Sequence, residues 1–177
     1  MLTIDREHEV QAALHVARQM CVAARTAPKG RGADNIVTAV LTDGPEKQRL
    51  MDEMRRYGEE VGAEFFSRDA DNLGQAEACV ILGTKLRRLG IPGCNLCGYN
   101  GCAASEKANA RCAYNAGDLG IAIGSAVSVA ADRRVDNRVM YTIGICAVNI
   151  ELLGPEVRIA HGIPISVKGK NIFFDRK

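Results

Sequence analysis

The chain has 177 residues, of which 47% are hydrophobic and 25% are charged, proportions that are typical of a globular domain with its own core. A formal net charge of only +2 and an aromatic content of 5% argue against nucleic-acid binding. No apolar run of about twenty residues occurs, and the charged N-terminal sequence lacks the apolar core of a secretory signal, so we expect a cytoplasmic protein without a membrane span.

The first part of the chain predicts helices that alternate with buried strands. Residues 4–25 carry apolar residues at helical spacing, and a proline should end this helix before the polar, glycine-rich loop 29–35. The β-branched run 35–41 predicts a buried strand. A second helix, charged and amphipathic, is predicted over 45–61, and residues 63–67 are expected to form a short strand or a loop.

The rest of the chain continues this alternation. The apolar run 78–83 predicts a second buried strand. Helices are predicted over 103–110, 119–131 and 136–153, and strands over 157–165 and 171–174. Because no internal repeat or low-complexity linker interrupts these elements, the pattern predicts one α/β or α+β domain over 1–177.

Four of the seven cysteines lie in one glycine-rich segment, residues 90–112, which we call the cysteine segment. Cys94, Cys97 and Cys102 have the spacing C-x2-C-x4-C, and Cys112 follows after a longer step. In a reducing compartment, clustered thiols favour a metal site over disulfides. Glycines allow the chain to turn tightly around a metal, and the surrounding lysines and arginines would offset the negative charge of a thiolate-bound cluster.

The metal and its fourth ligand stay open at this point. A 4Fe–4S cluster is favoured, with zinc as the alternative metal, because four-cysteine zinc sites usually have two C-x2-C pairs. One continuous helix from Cys102 to Cys112 would place their Cα atoms roughly 15 Å apart, too far for one small cluster. Either the chain bends near Asn109, or Cys79 or Cys146 replaces Cys112, although the apolar surroundings of both indicate core packing.

Two resemblances concern the cysteines and the whole chain. The sequence CNLCGYNGC resembles the C-x2-C-G-Y-x2-C signature of small four-iron domains in corrinoid iron–sulfur proteins and some electron-transfer complexes. Nearly the full chain resembles an uncharacterised prokaryotic family of ferredoxin-domain-containing proteins, through AARTAPKGRGADN, DLGIAIGSAVSVAADRRVDNRVMY and GIPISVKGKNIFFDR. This family resemblance implies cluster binding and assigns no reaction.

A third resemblance concerns the chain outside the cysteine segment. The sequence AARTAPK, followed by a polar loop and the strand NIVTAVLTD, is similar to the first half of nitroreductase-type flavoproteins. The sequence Gly162-Ile-Pro164 stands where those proteins have a strand ending in G-x-P. The resemblance implies an α+β fold with a mixed sheet flanked by helices, usually built as an intertwined homodimer, and FMN as a further cofactor.

The polar loop after the first helix offers candidate ligands for an anionic cofactor. These residues are Arg25, Lys29, Arg31 and Asn35. Cations and loop amides suit a phosphate group, so they are the predicted cofactor-binding residues. The sequence assigns no catalytic residue, and it leaves open whether the protein is an oxidoreductase.

Taken together, the sequence predicts an iron–sulfur protein that passes electrons to a redox partner protein or to a bound flavin. The predicted metal ligands are Cys94, Cys97, Cys102 and Cys112. Two alternatives stay open, a structural zinc-binding module without redox activity and a flavin-dependent oxidoreductase in which the cluster relays electrons.

Overall fold

Six α-helices surround a four-stranded sheet in the computed structural model, which describes residues 6–174 of the chain. The helices are α1 (Glu7–Thr26), α2 (Pro45–Val61), α3 (Phe65–Gln75), α4 (Gly101–Lys107), α5 (Ala113–Asp132) and α6 (Tyr141–Asn149). The strands are β1 (Ile36–Leu41), β2 (Ala78–Lys85), β3 (Asp136–Asn137) and β4 (Val157–Ser166). The α+β class predicted from the sequence is therefore confirmed. In the described part of the chain, no helix is both long and apolar enough to cross a membrane.

The strands follow the order β1-β2-β4-β3, and every neighbouring pair is antiparallel. The described sheet thus differs from the mixed sheet that the sequence resemblance implies. The reason lies in the connection from β1 to β2, which contains two helices, α2 and α3. The two helices together return the chain to the end of the sheet at which β1 stops, so β2 starts there and runs antiparallel to β1. A single crossover helix would carry the chain to the opposite end and lead to a parallel neighbour.

Each face of the sheet is covered by its own layer of helices, and β2 contributes to both cores. Val80 and Leu82 lie in the core with α1 and α5, whereas Cys79 and Ile81 lie in the core with α2, α3 and α6. All four side chains have 0% exposure. Burial on both faces explains why the sequence of this strand is a continuous apolar run and not an alternating one.

Most predicted elements agree with the structure to within a few residues. The strands predicted at 35–41, 78–83 and 157–165 correspond to β1, β2 and β4, and the helix predicted over 45–61 is α2 with the same bounds. The helix predicted over 4–25 is α1, although residues 4 and 5 lie outside the described part of the chain.

Helix α3 occupies a region where the sequence predicts only a short strand or loop over 63–67, and that prediction is wrong. Phe66 and Leu73, two turns apart, are buried in the core with α2 and α6. Polar residues between them obscure this helical spacing in the sequence. The structure accommodates one of them, Asp69, because its buried carboxylate accepts a hydrogen bond of 2.8 Å from the hydroxyl of Thr142.

Two predictions near the C-terminal end are also wrong. The helix predicted over 136–153 is shortened to α6, because its first two residues pair with β4 as β3 and Met140 bridges Gly162. Residues 171–174 form a turn and not a strand. The amide of Phe173 donates to the side chain two residues earlier at 2.9 Å, and such local bonds compete with strand pairing.

Candidate metal centre

The cysteine segment follows the irregular chain after β2 and ends where α5 begins. Cys94 and Cys97 lie in its irregular first part, and Cys102 is the second residue of α4. Cys112 directly precedes α5, a helix that the sequence predicts only from residue 119. All four predicted ligands therefore lie on one continuous segment that belongs to neither hydrophobic core.

Two glycines between the cysteines fix the course of the backbone. Gly98 and Gly101 have φ angles of +80° and +81°, and a Cβ added at either would meet no atom within 4 Å. The left-handed conformation, and not lack of space, therefore requires glycine at these positions. The amide of Gly101 also donates to Asn95 Oδ1 at 3.1 Å. The tight turns predicted for the loop glycines are confirmed.

The chain bends between Cys102 and Cys112, as the fourth-ligand argument requires. Helix α4 ends before Asn109, which has a φ angle of +49°. The amide of Ala110 then donates to the carbonyl of Ser105 at 2.9 Å, a bond that closes the helix end. The two cysteines are therefore not separated by one unbroken helix.

The remaining cysteines have surroundings that suit core packing. Cys79 and Cys146 are fully buried with α2, α3 and α6, and burial raises the pKa of each thiol to about 12. The thiolate is the metal-binding form, so both are poor substitutes for Cys112. Cys21 is half-buried, and burial raises the pKa of its thiol too. All seven cysteines are free.

Cys97 is the cysteine whose surroundings favour the thiolate. The backbone N–H of Tyr99, the nearby hydroxyl of Ser105 and the positive charge of Arg88 lower the pKa of the Cys97 thiol. These three groups come from within the segment or from the chain just before it. The local sequence therefore builds a site that stabilises negative charge on sulfur.

Two buried donors beside Cys97 lack an acceptor. Arg88 uses one terminal nitrogen to donate to the carbonyls of Ser105 and Ala110 at 3.1 and 3.2 Å. Its Nε atom and the hydroxyl of Ser105 are buried and make no hydrogen bond of normal geometry with the described residues. Donors of this kind fit a metal–sulfur group, whose sulfur atoms accept hydrogen bonds.

The four thiols are not gathered into a preformed ligand set. Across residues 6–174, the structure contains no group of three or more His, Cys, Asp or Glu side chains arranged to hold a metal ion. Cys94, Cys97, Cys102 and Cys112 are each only partly exposed. The structure thus shows the tight turns and the hydrogen-bond donors of the segment, but the four sulfur atoms do not meet at one point.

The positive charge around the segment is partly neutralised from outside it. Glu156, which lies just before β4, accepts from Lys85 at 2.7 Å and from Arg87 at 3.3 Å. Within the segment, Glu106 lies 3.6 Å from Arg88. Sequence reasoning missed Glu156 because it is remote in the chain, so the local excess of positive charge is smaller than the sequence suggests.

Two of the predicted cofactor-binding residues, Arg25 and Lys29, bond to the loop and to the end of α1. Arg25 forms an ion pair with Asp34 and donates to the carbonyl of Ile36 at 2.8 Å. Lys29 Nζ donates to three carbonyls at the C-terminal end of α1, at 2.6 to 2.9 Å. These bonds close the helix end and attach the loop to β1.

The other two predicted cofactor-binding residues open onto a surface cleft of about 380 Å³. Arg31 donates to the carbonyl of Leu89 at 2.7 Å, and the side-chain nitrogen of Asn35 is buried without a partner in the part of the chain that the structure describes. We call this feature the arginine cleft, and its lining residues are Arg31, Ala33, Asn35, Arg87, Arg88 and Leu89. Sequence reasoning did not assign Arg87 and Arg88 to the arginine cleft. The loop before β1 and the loop after β2 meet only because these two strands pair, and the sequence does not reveal that pairing.

Comparison with known protein sequences identifies a relative along the whole chain. A protein of Archaeoglobus fulgidus, described as "Uncharacterized protein", is 35% identical over 184 aligned positions, which cover 99% of this chain and 98% of its own. Residues 108–176 also match the family described as "Uncharacterized protein containing a ferredoxin domain (DUF2148)". That stretch contains Cys112 and ends near the C terminus.

Comparison with solved structures identifies the fold. A BluB-like flavoprotein from Clostridium difficile 630 superposes with a TM-score of 0.62 and 17% identity over 92% of this chain and 84% of its own. A candidate nitroreductase in complex with FMN from Desulfovibrio desulfuricans gives 0.61 and 13% over 92% and 78%. At such identities the likeness concerns the fold, which is nitroreductase-like as the sequence resemblance implies.

Proposed function

The chain belongs to the family of uncharacterized proteins that contain a ferredoxin domain, and on this basis we propose that it is an iron–sulfur electron carrier. The family and the nitroreductase-like fold both suggest a redox function. In the proposal, Cys94, Cys97, Cys102 and Cys112 hold a 4Fe–4S cluster. When bound, such a cluster supplies transfer of one electron at a time.

The surroundings of Cys97 carry this proposal. The pKa of its thiol is lowered, with the N–H of Tyr99 as the first cause, and two buried donors beside it lack acceptors among the described residues. In the proposal, Ser105 and Arg88 donate to sulfur and stabilise its negative charge. Arg88 also holds the end of α4, so it positions the chain between Cys102 and Cys112.

Zinc is the competing metal, since four cysteine thiolates also hold zinc in structural sites. The orphaned donors favour the cluster, because a cluster presents several sulfur acceptors in addition to the thiolates. A zinc-bound protein would be a structural or regulatory module without electron transfer.

A flavin-dependent oxidoreductase is the second candidate, and the fold supports it. Among the structural neighbours, one is described as being in complex with FMN and another as a flavoprotein. For this chain, Arg31 and Asn35 are the predicted phosphate ligands that still face a cleft, whereas Arg25 and Lys29 bond to the protein. In this candidate, the cluster relays electrons to the flavin.

The proposal includes a second copy of the chain and a redox partner protein in the cytoplasm. Helices α1 and α5 pack together, and they carry exposed apolar residues, Val22 at 63% and Ile121 at 48%. Such residues are suited to burial against another protein surface.

Free thiols throughout the chain suit a reducing compartment. Sedimentation analysis at several protein concentrations tests the dimer, and a monomer at all of them would contradict it.

Anaerobic purification followed by metal analysis tests the cluster. We expect about four iron and four acid-labile sulfide per chain, a broad visible absorption that dithionite bleaches, and an EPR signal of the reduced cluster. Cys97→Ser should lose most of the iron, whereas Cys21→Ser, a change of the half-buried cysteine on α1, should keep it. Stoichiometric zinc without sulfide would replace the proposal with the zinc module.

A further inference from the structure

The arginine cleft combines three guanidinium groups with an amide and has no carboxylate among its lining residues. Its volume, about 380 Å³, lies within the range of small-molecule sites. The residues come from two loops, one before β1 and one after β2, and their approach is fixed by the β1–β2 pairing. The cleft is thus held in place by the sheet.

The donors of the cleft outnumber its acceptors. Asn35 Nδ2 is buried without a hydrogen-bond partner among the described residues, and so is Arg88 Nε, the atom that the cluster proposal assigns to sulfur. The backbone at Asn35 is held next to β2, because its main-chain carbonyl accepts from the amide of Lys85 at 3.0 Å. A buried donor without an acceptor, such as Asn35 Nδ2, is costly unless a ligand supplies that acceptor, and this donor plays no part in the cluster proposal.

The guanidinium groups at the cleft are oriented by bonds to the protein. Arg31 is held by the carbonyl of Leu89 at 2.7 Å, and Arg87 is held by Glu156 at 3.3 Å. Arg88 is held by carbonyls of the cysteine segment. A guanidinium has five N–H donors, so each keeps donors for a further acceptor.

We propose that the arginine cleft binds an oxyanion, namely the phosphate group of a small ligand. The unprotonated oxygens of a phosphate group accept hydrogen bonds, match the planar fork of a guanidinium and require no acid from the protein. The phosphate belongs either to free phosphate or to a phosphorylated cofactor. Because Arg88 also lies beside Cys97, the ligand binds close to the proposed electron carrier, but its binding does not depend on the cluster.

Calorimetric titration of the whole protein with inorganic phosphate, at ionic strength held constant with potassium chloride, tests the site. Saturable binding is expected. Asn35→Asp places a negative charge among the donors, and Arg31→Gln removes one of them, so each should weaken binding about tenfold or more. Arg18→Gln removes a charge from an exposed position on α1 and should change the affinity less than about twofold.

Parallel titrations with FMN and riboflavin separate the two sources of phosphate. If FMN binds more tightly than inorganic phosphate and riboflavin binds more weakly than FMN, the cleft is assigned to a phosphorylated cofactor. If FMN binds no more tightly than inorganic phosphate, the cleft is assigned to the free anion. Absence of saturable phosphate binding, or an equal loss in Arg18→Gln, would overturn the site. Iron and sulfide in Asn35→Asp should equal the wild-type content, so failure here is distinct from failure of the cluster proposal.

Discussion

Strand β2 and the cysteine segment lie close together in the chain but are held by different forces. In β2, every residue except Lys85 is buried, and the strand takes part in both cores. In the cysteine segment, Ser105 is the one buried residue, and Leu96 is 69% exposed. The strand is therefore fixed by apolar burial, whereas the segment is fixed by backbone turns and a few polar bonds.

This difference assigns stability and binding to separate parts of the molecule. Apolar burial over two layers resists local change, because any shift opens space in a close-packed core. A segment held by glycine turns and by the bonds of Arg88 can rearrange at lower cost. If the two regions are independent, substitutions in one should leave the properties of the other unchanged.

Gly144→Ala should produce the largest effect on the core. A Cβ at this position would lie 1.7 Å from the carbonyl oxygen of Ala160, so α6 would have to move away from β4. We expect the free energy of unfolding to fall by about 3 kcal/mol or more. Urea denaturation followed by circular dichroism measures this loss.

The matched control is Gly120→Ala, on an exposed position of α5 where a Cβ meets no atom within 4 Å. It should raise the free energy of unfolding by about 0.5–1 kcal/mol. An unchanged stability of Gly144→Ala would contradict the close approach of α6 to β4. Loss of iron from a folded Gly144→Ala protein would contradict the independence of the two regions.

The sequence predicts best those elements that depend on apolar pattern alone. The run over 78–83 identifies β2, because burial on both faces leaves a continuous apolar signal. Helix α3 is missed because its buried Asp69 depends on Thr142, a partner remote in the chain. The antiparallel arrangement of β1 and β2 follows from α3 as well, so one missed helix hides two features of the fold.

For the candidate site, local features are predictable and remote contacts are not. The turns at Gly98 and Gly101 and the bend near Asn109 follow from residue type, since each has a positive φ angle. The contribution of Glu156 depends on the β2–β4 pairing, which no local pattern reveals. Metal binding by the four cysteines stays a prediction.

Gly101→Ala tests the segment in the same way that Gly144→Ala tests the core. Alanine in a left-handed conformation costs about 1–2 kcal/mol, and here the cost falls on a segment outside both cores. Because the segment can rearrange and relieve part of this cost, we expect the free energy of unfolding to fall by no more than about 1 kcal/mol, while the iron retained after anaerobic reconstitution falls by about half or more. Iron analysis and urea denaturation of the same preparation measure both.

Gly169→Ala is the control for this change, because it lies outside the cysteine segment and has neither a positive φ angle nor a Cβ contact. It should change neither iron content nor stability. If Gly101→Ala destabilised the whole protein as much as Gly144→Ala, the segment would be part of the cooperative core, and the contrast between the two regions would fail.

The lowered pKa of Cys97 gives a smaller effect, visible in the metal-free protein. The thiolate is the form that reacts with an alkylating agent. The rate of alkylation of Cys97 should therefore stay high at pH values somewhat below the ordinary thiol pKa of about 8.5. Ser105→Ala removes a group that favours the thiolate, so the inflection should move to higher pH. Mass spectrometry of iodoacetamide-labelled peptides follows each cysteine separately.

Buried Cys79 and Cys146 should stay unlabelled in the native protein, which provides an internal standard for folding. Ser128→Ala, on the exposed face of α5, is the control variant and should leave the inflection in place. An inflection for Cys97 at or above the ordinary thiol value would contradict the stabilised thiolate.

Glu156→Gln should have the smallest effect of the main variants, although Glu156 links β2 to the chain that leads into the cysteine segment. Its carboxylate is exposed and pairs with Lys85 at the end of β2 and with Arg87 beside the arginine cleft. Exposed ion pairs contribute little because water and salt screen them, so the urea midpoint should shift by less than in Gly144→Ala or Gly101→Ala. Glu60→Gln, which breaks the exposed pair with Arg56 on α2, should shift it by a similar amount.

The pH dependence of this small difference has a definite sign. Lys85 and Arg87 lower the pKa of Glu156, so its contribution is present above the ordinary glutamate pKa and is lost as pH falls through the lowered value. The wild-type and Glu156→Gln proteins should therefore become equally stable in acid and at high salt. A difference that persists under both conditions would mean that Glu156 acts through packing, and that the chain between β2 and the cysteine segment is attached by more than exposed ion pairs.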